Sequence, residues 1–418
     1  MAELEIREIY GVDALPYHRL ATACFHAPKA ELTDPEKAAE FAVEHDKQWD
    51  RETVNGVRYR RVAMFDGERL AANIDIRPAL VNFDGNNVIC GHIGAVCSEP
   101  ELRRGGGVRK VFARVMEIMK EEGMVVSNLD PFTANFYRKF GYEVACERVY
   151  WAIPTEYLPA YSNKGIVRFE GTEKQKEDIQ KVWSIWTAEL NLSEVRTAYK
   201  WEKWFNAHAP YSSDYYGYLH YNEAGEVDGF LSYQTLFDGP QPMAMDCESG
   251  AFWYTGPEGL QALLAYAAGM KDYAREVRLC LPGNADLMPL VEYIGGWGRK
   301  LVTRRTVVDG TFRIVDAKKA LELAAYRGSG KVCIGLTDPT CPWNTGAWTV
   351  EFENGKATSV EAGGTPDIEL TEKAFGPLLM GRGGLNQAKY HPGTVIHGNQ
   401  ENLEKVFYTK TVFTQAHY

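Results

Sequence analysis

The chain has 418 residues, of which 45% are hydrophobic and 24% charged, with a net charge of −10. This length is enough for about two or three compact domains with sizeable cores. The negative charge argues against nucleic acid as a partner, and no stretch approaches the roughly 18 consecutive apolar residues of a membrane-spanning helix. Because the first residues are acidic where a signal peptide would be basic, we expect a cytoplasmic protein.

Cysteines and histidines show no spacing typical of metal ligands. The eight cysteines include no Cys-x-x-Cys pair, and the nine histidines include no His-Glu-x-x-His motif. We therefore expect scattered core thiols and no metal site.

The N-terminal part of the chain predicts helices followed by a β-hairpin. Helices are expected between Pro16 and about Asp50. Residues 58–65 and 70–76 read as two strands, joined by the turn Asp66-Gly67-Glu68.

A strand ending near Pro100 runs into a glycine-rich turn and then a long helix. Gly123 stands where a C-terminal cap belongs, and apolar residues recur before it at helical spacing: Val108, Val111, Phe112, Val115 and Met119. We therefore expect an amphipathic helix that begins directly after the glycines.

The turn itself has the composition of a phosphate cradle. Three consecutive glycines, Gly105-Gly106-Gly107, let the backbone point its N–H groups inward, where they join the positive end of the helix dipole. Arginines add positive charge at the same place: Arg103, Arg104 and Arg109. The turn predicts a pyrophosphate site, although this loop alone leaves a solvated surface turn as an open alternative.

Neither of two common nucleotide-binding patterns is present in this loop. It lacks the Gly-x-x-x-x-Gly-Lys-Ser/Thr of triphosphate loops and the Gly-x-Gly-x-x-Gly of dinucleotide folds. What remains is Arg103-x-x-Gly106-x-Val108 after a strand, which resembles the acetyl-coenzyme A (acetyl-CoA) signature of the GNAT acetyltransferases.

A second motif follows the helix. After a short strand at 124–129 comes Asn135-Phe136-Tyr137-Arg138-Lys139-Phe140-Gly141-Tyr142, which resembles the segment that closes a GNAT domain. Phe136 and Phe140 are interpreted as core anchors. In a structural role the Tyr137 hydroxyl would bond to a backbone group, whereas in a functional role it would protonate the departing thiolate, for which a phenol with a pKa near 10 is suited. Both motifs, in this order, favour the functional role.

From about Glu170 the pattern starts again. Helical segments with Trp183, Trp186, Trp201 and Trp204 precede strands near 215–221, 229–234 and 249–254, a helix from 259 to about 270, and a strand at 277–281. The turn Thr255-Gly256-Pro257-Glu258-Gly259 replaces the basic loop and carries an acid but no arginine. We expect a degenerate GNAT-like domain without a cofactor site, with its aromatic residues in the core.

A third unit is expected from about Gly310. A helix is predicted over 312–321, and strands near 330–336 and 346–352, with a hairpin turn at Glu353-Asn354-Gly355-Lys356. The pattern resembles a sterol-carrier-protein-like domain. The predicted fold class is therefore α/β plus α+β, with tandem GNAT folds at 1–155 and 156–305, the second degenerate, and the sterol-carrier-like domain at 306–418.

This order of domains resembles the enhanced intracellular survival (Eis) family of GNAT N-acetyltransferases over nearly the whole chain. Trp201-x-x-Trp204, residues 312–316 and residues 406–418 carry the resemblance besides the two motifs. The resemblance implies a homo-oligomer, and specifically a hexamer, because members of the family form hexamers. It also implies that the chain ends on an aromatic residue, here Tyr418, whose own carboxylate reaches the active site.

The resemblance implies transfer of an acetyl group from acetyl-CoA to an amine by direct attack. The Tyr418 carboxylate would serve as the base, Tyr137 as the acid, and backbone N–H groups near Val96 and Ser98 would hold the oxyanion. A frayed, functionless chain end is the alternative for Tyr418. The cofactor-binding residues would be Val96, Ser98, Arg103, Arg104, Gly105, Gly106, Gly107, Val108 and Arg109.

Two departures from the family bear on the acceptor. Phe25 is followed by His26-Ala27-Pro28 where aminoglycoside-acetylating members carry an acid, and the penultimate residue is His417 where some members have an acid. Aminoglycosides, small polyamines and protein lysines are all open as acceptors. The alternative of another class is a non-catalytic scaffold whose sterol-carrier-like domain binds an apolar ligand, but the retained loop, Tyr137 and aromatic terminus favour the enzyme.

Overall fold

The computed structural model describes residues 4–103, 105–239, 241–292 and 301–414. Two residues of the predicted site, Arg104 and Tyr418, lie outside the described residues. The chain forms two compact units, one made of residues up to Ala145 together with Gly310–Lys410, the other of Cys146–Asp309 with a segment beginning at Thr411. The domain borders expected at 155/156 and 305/306 stay predictions.

The N-terminal part of the first unit is a mixed sheet with helices. Strands β1 to β4 are consecutive antiparallel neighbours, and β4 pairs in parallel with β5. The hairpin expected at 58–76 is present as β2 and β3. The elements are β1 (Leu4–Glu8), α1 (Leu15–Cys24), α2 (Pro35–Asp50), β2 (Arg60–Asp66), β3 (Arg69–Phe83), β4 (Asn86–Ser98), α3 (Gly107–Glu121), β5 (Val126–Leu129), α4 (Ala134–Tyr137) and the start of β6 (Glu143–Pro154), whose residues from Cys146 onward belong to the second unit.

Helix α3 has the apolar face that the sequence predicts. Its buried residues include Val111, Phe112, Val115 and Met119, all in one core cluster. Gly91 on β4 permits this close packing, because a Cβ at that position would lie 2.3 Å from the Met119 sulfur.

The second unit repeats the same plan. Strands β11 and β12 pair in parallel across the connecting helix α7, as β4 and β5 do across α3, and β12 pairs antiparallel with β6. The order β7, β9, β10, β11 is antiparallel. The elements are β7 (Ile166–Arg168), α5 (Glu173–Thr187), β8 (Glu194–Val195), α6 (Ala198–Ala207), β9 (Tyr216–Tyr221), β10 (Val227–Asp238), β11 (Gln241–Tyr254), α7 (Pro257–Gly269), β12 (Glu276–Pro282) and the start of β13 (Thr303–Ile314), whose residues from Gly310 onward belong to the first unit.

Three tryptophans of the second unit lie in its core, and Trp186 and Trp204 pack against them, partly buried. Trp183, Trp201 and Trp253 are buried in one cluster. The Arg196 guanidinium lies 4.0 Å from the centroid of the Trp183 ring and faces Trp201 and Trp253 as well. Arg196 also pairs with the buried Glu194. The Arg196 guanidinium therefore occupies the space between these tryptophan rings, so they are not available to a ligand. This agrees with the predicted core role.

The C-terminal part of the first unit is a separate five-stranded sheet with four helices among the described residues. The strand order is β16-β15-β14-β17-β18, with β14 and β17 parallel. The elements are α8 (Ala317–Leu323), β14 (Gly330–Thr337), β15 (Gly346–Glu353), β16 (Lys356–Ala362), β17 (Ile368–Thr371), α9 (Glu372–Met380), α10 (Leu385–Ala388), β18 (Val395–Ile396) and α11 (Gln400–Val406).

The helix predicted over 312–321 begins later than expected. Residues 311–314 form the end of β13 and pair with 126–129 of β5. The helix starts only at Ala317, where the Asp316 side chain caps the N–H of Lys319. The prediction was wrong for 312–316 because the open edge of β5 offers hydrogen bonds that a local sequence pattern does not reveal.

Candidate active site

Strand β4 carries a bulge near its end. Ala72 pairs with Ser98 and Asn73 with Cys97, but Asp75 pairs with Gly94, so two residues, Ala95 and Val96, lie opposite one. Ala95 has a φ of +50°. A bulge bends the strand and leaves the extra residue outside the ladder, so the backbone at Ala95 and Val96 leaves the regular pairing, whereas Ser98 still pairs with Ala72.

The bulge lies where β4 and β5 separate. Pairing between these parallel strands covers only Cys90 to His92 on β4. The side-chain amide of Asn73 donates to the Ala95 carbonyl at 3.2 Å. This contact holds the bulge, which lies beyond the last residue of β4 that pairs with β5.

The glycine-rich turn lies between the end of β4 and the start of α3. Helix α3 begins at Gly107, and the preceding Gly106 has a φ of +79°, a left-handed conformation that favours glycine. Among the described residues no side chain caps this start. The Lys110 N–H bonds to the Gly106 carbonyl, so the N–H groups before it are left to other partners, as at anion-binding helix starts.

The charges around the turn suit an anion. Arg103 and Arg109 are exposed, and within the described part of the chain neither makes an ion pair. The nearby acids Glu99 and Glu101 both pair with Arg69. Two arginines are therefore available to phosphate oxygens, and the turn fits a pyrophosphate group.

Tyr137 is the last residue of α4, and its ring is buried. It packs against Phe112, Phe132, Phe136 and Tyr142, at centroid distances from 5.0 to 6.4 Å. Burial raises the pKa of Tyr137 to about 12. Its hydroxyl has no hydrogen-bond partner among residues 4–103, 105–239, 241–292 and 301–414, whereas that of buried Tyr142 bonds to Ser127 Oγ at 2.6 Å. The phenol of Tyr137 is therefore protonated at neutral pH and has its proton to donate.

The fold brings several predicted residues together. Val96 and Val108 are half-buried and pack against the same core cluster that contains Tyr137. The end of β4, the start of α3 and Tyr137 therefore share one part of the first unit.

Sequence reasoning missed two polar residues at the fork of the strands. His92 on β4 and Asn128 on β5 are buried, and His92 Nδ1 lies 3.2 Å from Asn128 Oδ1. Cys90 Sγ also bonds to that oxygen, at 3.3 Å. No motif marks them, and only the pairing of β4 with β5 places them together.

Helices α1 and α2 form in the 16–50 segment, where the sequence predicts helices. The thiol of Cys24, at the end of α1, lies 3.8 Å from the Ser98 carbonyl. Behind the helices, the buried Arg61 bonds to Asp46 at 2.9 Å and to Asp75 at 3.1 Å. The two carboxylates therefore share one guanidinium, which offsets one of their two negative charges.

One possible metal-ligand cluster occurs among the described residues. Donor atoms of His18, His45 and Asp46 lie within 4.8 Å of one another. However, the Asp46 oxygens already accept hydrogen bonds from Arg61 and from the Gly11 N–H. The ion-pair network accounts for the cluster, and the predicted absence of a metal stays a prediction.

The corresponding turn of the second unit lacks these features. Helix α7 begins at Pro257, which has no N–H, and Glu258 places a negative charge in the first turn. A pyrophosphate would be repelled there.

The segment before the chain end is held by the second unit. The Asn191 N–H donates to the Thr411 carbonyl at 2.8 Å, and the Phe413 N–H donates to the Asn191 carbonyl at 3.1 Å. The Phe413 ring packs against Trp186, with centroids 5.6 Å apart.

Comparisons with known families identify the domains. Residues 5–145 and 193–303 match two families that are both described as acetyltransferase (GNAT) domain, and residues 317–413 match the sterol carrier protein domain. The predicted fold class is thereby confirmed. In the described part of the chain, no helix is long and apolar enough to cross a membrane.

Known proteins show the same architecture. An uncharacterized N-acetyltransferase of Streptomyces avermitilis is 26% identical over 301 residues, 67% of this chain and 69% of that protein. A conserved protein of unknown function from Enterococcus faecalis, a probable N-acyltransferase, superposes over 100% of both chains with a TM-score of 0.79 at 18% identity. Eis1 from Mycobacterium abscessus superposes over 100% of both chains with a TM-score of 0.76 at 16% identity. These likenesses confirm the predicted Eis-like fold.

Proposed function

Because this chain is a tandem GNAT acetyltransferase with a sterol carrier protein domain, and GNAT domains use acetyl-CoA as the acetyl donor, we propose that it N-acetylates an amine by direct attack on the thioester. The observation that carries the proposal is the buried phenol of Tyr137, which has no hydrogen-bond partner among the described residues and shares a core cluster with Val96 and Val108.

The residues would divide the reaction as follows. Backbone N–H groups at 106–108, with Arg103, Arg104 and Arg109, would hold the pyrophosphate. The amine nitrogen forms a bond to the carbonyl carbon, and backbone N–H groups at the bulge, near Val96 and Ser98, support the oxyanion. The carbon–sulfur bond then breaks, and Tyr137 gives its proton to the sulfur.

The amine must also lose a proton. As the Eis resemblance implies, the carboxylate of Tyr418 would accept it, directly or through water.

We propose that amines of low charge are preferred over polycations as acceptors. Asp46 and Asp75 are both paired with Arg61, and the Arg77 guanidinium lies beside Gly94, next to the bulge. The stretch His26-Ala27-Pro28 adds no acid. We therefore rank a lysine side chain or a simple primary amine above small polyamines and aminoglycosides.

We also propose that the protein is cytoplasmic and forms a homo-oligomer, which the Eis resemblance indicates is a hexamer. The eight cysteines, all within the described part of the chain, form no disulfide, as expected in a reducing compartment. The buried tryptophans do not supply an oligomer surface, but exposed Phe237, Tyr273 and Leu301 offer apolar area. Light scattering at micromolar concentration tests the assembly, and a monomer would contradict it.

A panel of amines tests the proposed acceptor class. Thiol release from acetyl-CoA is measured with a lysine peptide, a polyamine and an aminoglycoside at equal concentration. We expect the highest kcat/KM with the lysine peptide. A preference for the aminoglycoside would contradict this ranking while leaving acetyl transfer itself supported.

A further inference from the structure

We propose that the sterol-carrier-like part of the chain positions Tyr137, through a buried clamp of Arg313, Asp338 and Glu372 on the turn that follows it. The inference rests on the proposed acid role of Tyr137. It assigns Arg313 as a positioning residue, because the contacts run to the Tyr137 turn and not to the reacting atoms.

Arg313 is the centre of the clamp. Its guanidinium is 1% exposed and donates to the carbonyl of Phe140, in the motif that carries Tyr137. It also donates to Asp338 Oδ2 at 2.7 Å and to the Ile314 carbonyl at 3.1 Å. One rigid, forked side chain thus ties the motif to a loop of the sterol-carrier-like part.

Asp338 is itself held in place. Its Oδ1 accepts the backbone N–H groups of Thr340 and Cys341, and its Oδ2 also accepts the side-chain amide of Asn344 at 3.0 Å. Because Asp338 is fully bonded in this way, it fixes the orientation of Arg313.

The other side of the turn is closed by Glu372. A Cβ placed on Gly141 would lie 2.7 Å from Cγ of Glu372 and 3.0 Å from Nη1 of Arg313. Gly141 has a φ of +78°. The glycine of the motif is therefore required twice, by its conformation and by the approach of the clamp.

Hydrogen bonds and ring packing connect the turn to Tyr137. The Tyr142 N–H bonds to the Tyr137 carbonyl at 3.3 Å, and Phe140 stacks on Phe112 at 4.0 Å. Val315, Cys341 and Trp343 pack into the same core cluster as Tyr137. We therefore expect a change in the position of Phe140 to shift the Tyr137 ring.

Arg313→Lys tests the clamp, because lysine keeps the charge but cannot bond to both partners in the same geometry. We expect kcat for amine acetylation to fall about 10- to 100-fold, as for a misplaced catalytic group, with the Kd for acetyl-CoA within about twofold of wild type. Asp338→Asn should also lower kcat. It replaces Arg313→Lys as the test variant if Arg313→Lys does not fold. Asp84→Asn, which breaks another buried ion pair of the same unit, should leave kcat near wild type.

A double-mutant cycle separates positioning from general stability. In the Tyr137→Phe background, Arg313→Lys should cause no further loss of kcat. Equal losses in both backgrounds, or an unchanged kcat in the single variant, would overturn the inference while leaving the acid role intact. If Tyr137→Phe alone retained the wild-type kcat, the acid role would fail and the inference with it.

Discussion

The ammonium of Lys410 donates to Oδ2 of Asp84 at 2.5 Å, and both side chains are buried. Asp84 lies in the turn between β3 and β4, and the same oxygen accepts the Ala325 N–H at 2.9 Å. Lys410 also donates to the Leu379 carbonyl. The pair thereby ties the N-terminal sheet to the sterol-carrier-like part within the first unit.

Asp84→Asn should destabilise this unit. Burial lowers the pKa of Lys410 and Asp84 opposes that shift, so the variant leaves a buried ammonium without its counter-ion. Removing one partner of such a pair typically costs about 3 kcal/mol. Urea unfolding measures the loss, and the Asp84→Asn, Lys410→Met double variant should recover part of it. An unchanged midpoint in the single variant would contradict this account of the pair.

Gly106→Ala should weaken binding of acetyl-CoA about tenfold or more. Alanine at a φ of +79° costs roughly 1 kcal/mol and shifts the start of α3. Gly225→Ala is the matched control, because Gly225 has a φ of +75° and, like Gly106, open space around the added Cβ. Calorimetry should show lost affinity only for Gly106→Ala. Equal affinity in both folded variants would remove the pyrophosphate assignment.

His18 should make the protein less stable in acid. Burial, with help from Arg61, lowers the pKa of His18 to about 3. Below pH 6.5 the unfolded chain binds a proton on this imidazole and the folded chain does not, so stability is lost as the pH falls from 6.5 toward 3. His18→Leu should flatten that part of the curve of unfolding free energy against pH. Parallel curves for the two proteins would show that His18 titrates normally.

Tyr418 is predicted to act through its backbone carboxylate. Tyr418→Phe should keep substantial activity, whereas an appended segment that moves the free carboxylate should lower kcat by about 10²- to 10⁴-fold. Steady-state kinetics at saturating acetyl-CoA measures both. An extended protein that is folded, binds acetyl-CoA and turns over at the wild-type rate would refute this role.

Local patterns predicted one part of the site and not the other. The glycine run and the spacing from Val108 to Met119 are local features, so the start of α3 was predictable. The bulge at Ala95 was not, because it arises from the register with β3 and alanine does not signal a positive φ. The contact of Arg313 with Phe140 spans 173 positions, so no sequence window contains it.

The most direct test compares amine-dependent thiol release from acetyl-CoA by the wild type and by Tyr137→Phe, with Tyr142→Phe as the control tyrosine of the same motif. We expect thiol release by the wild type to require an amine. In Tyr137→Phe, kcat should be about 10²-fold or more lower, with unchanged affinity for acetyl-CoA. In Tyr142→Phe, kcat should stay near the wild-type value. Burial raises the pKa of Tyr137 to about 12. The wild-type kcat should therefore not fall near pH 10 through ionisation of this phenol. Release that needs no amine, or an equal kcat in the wild type and Tyr137→Phe, would contradict the account.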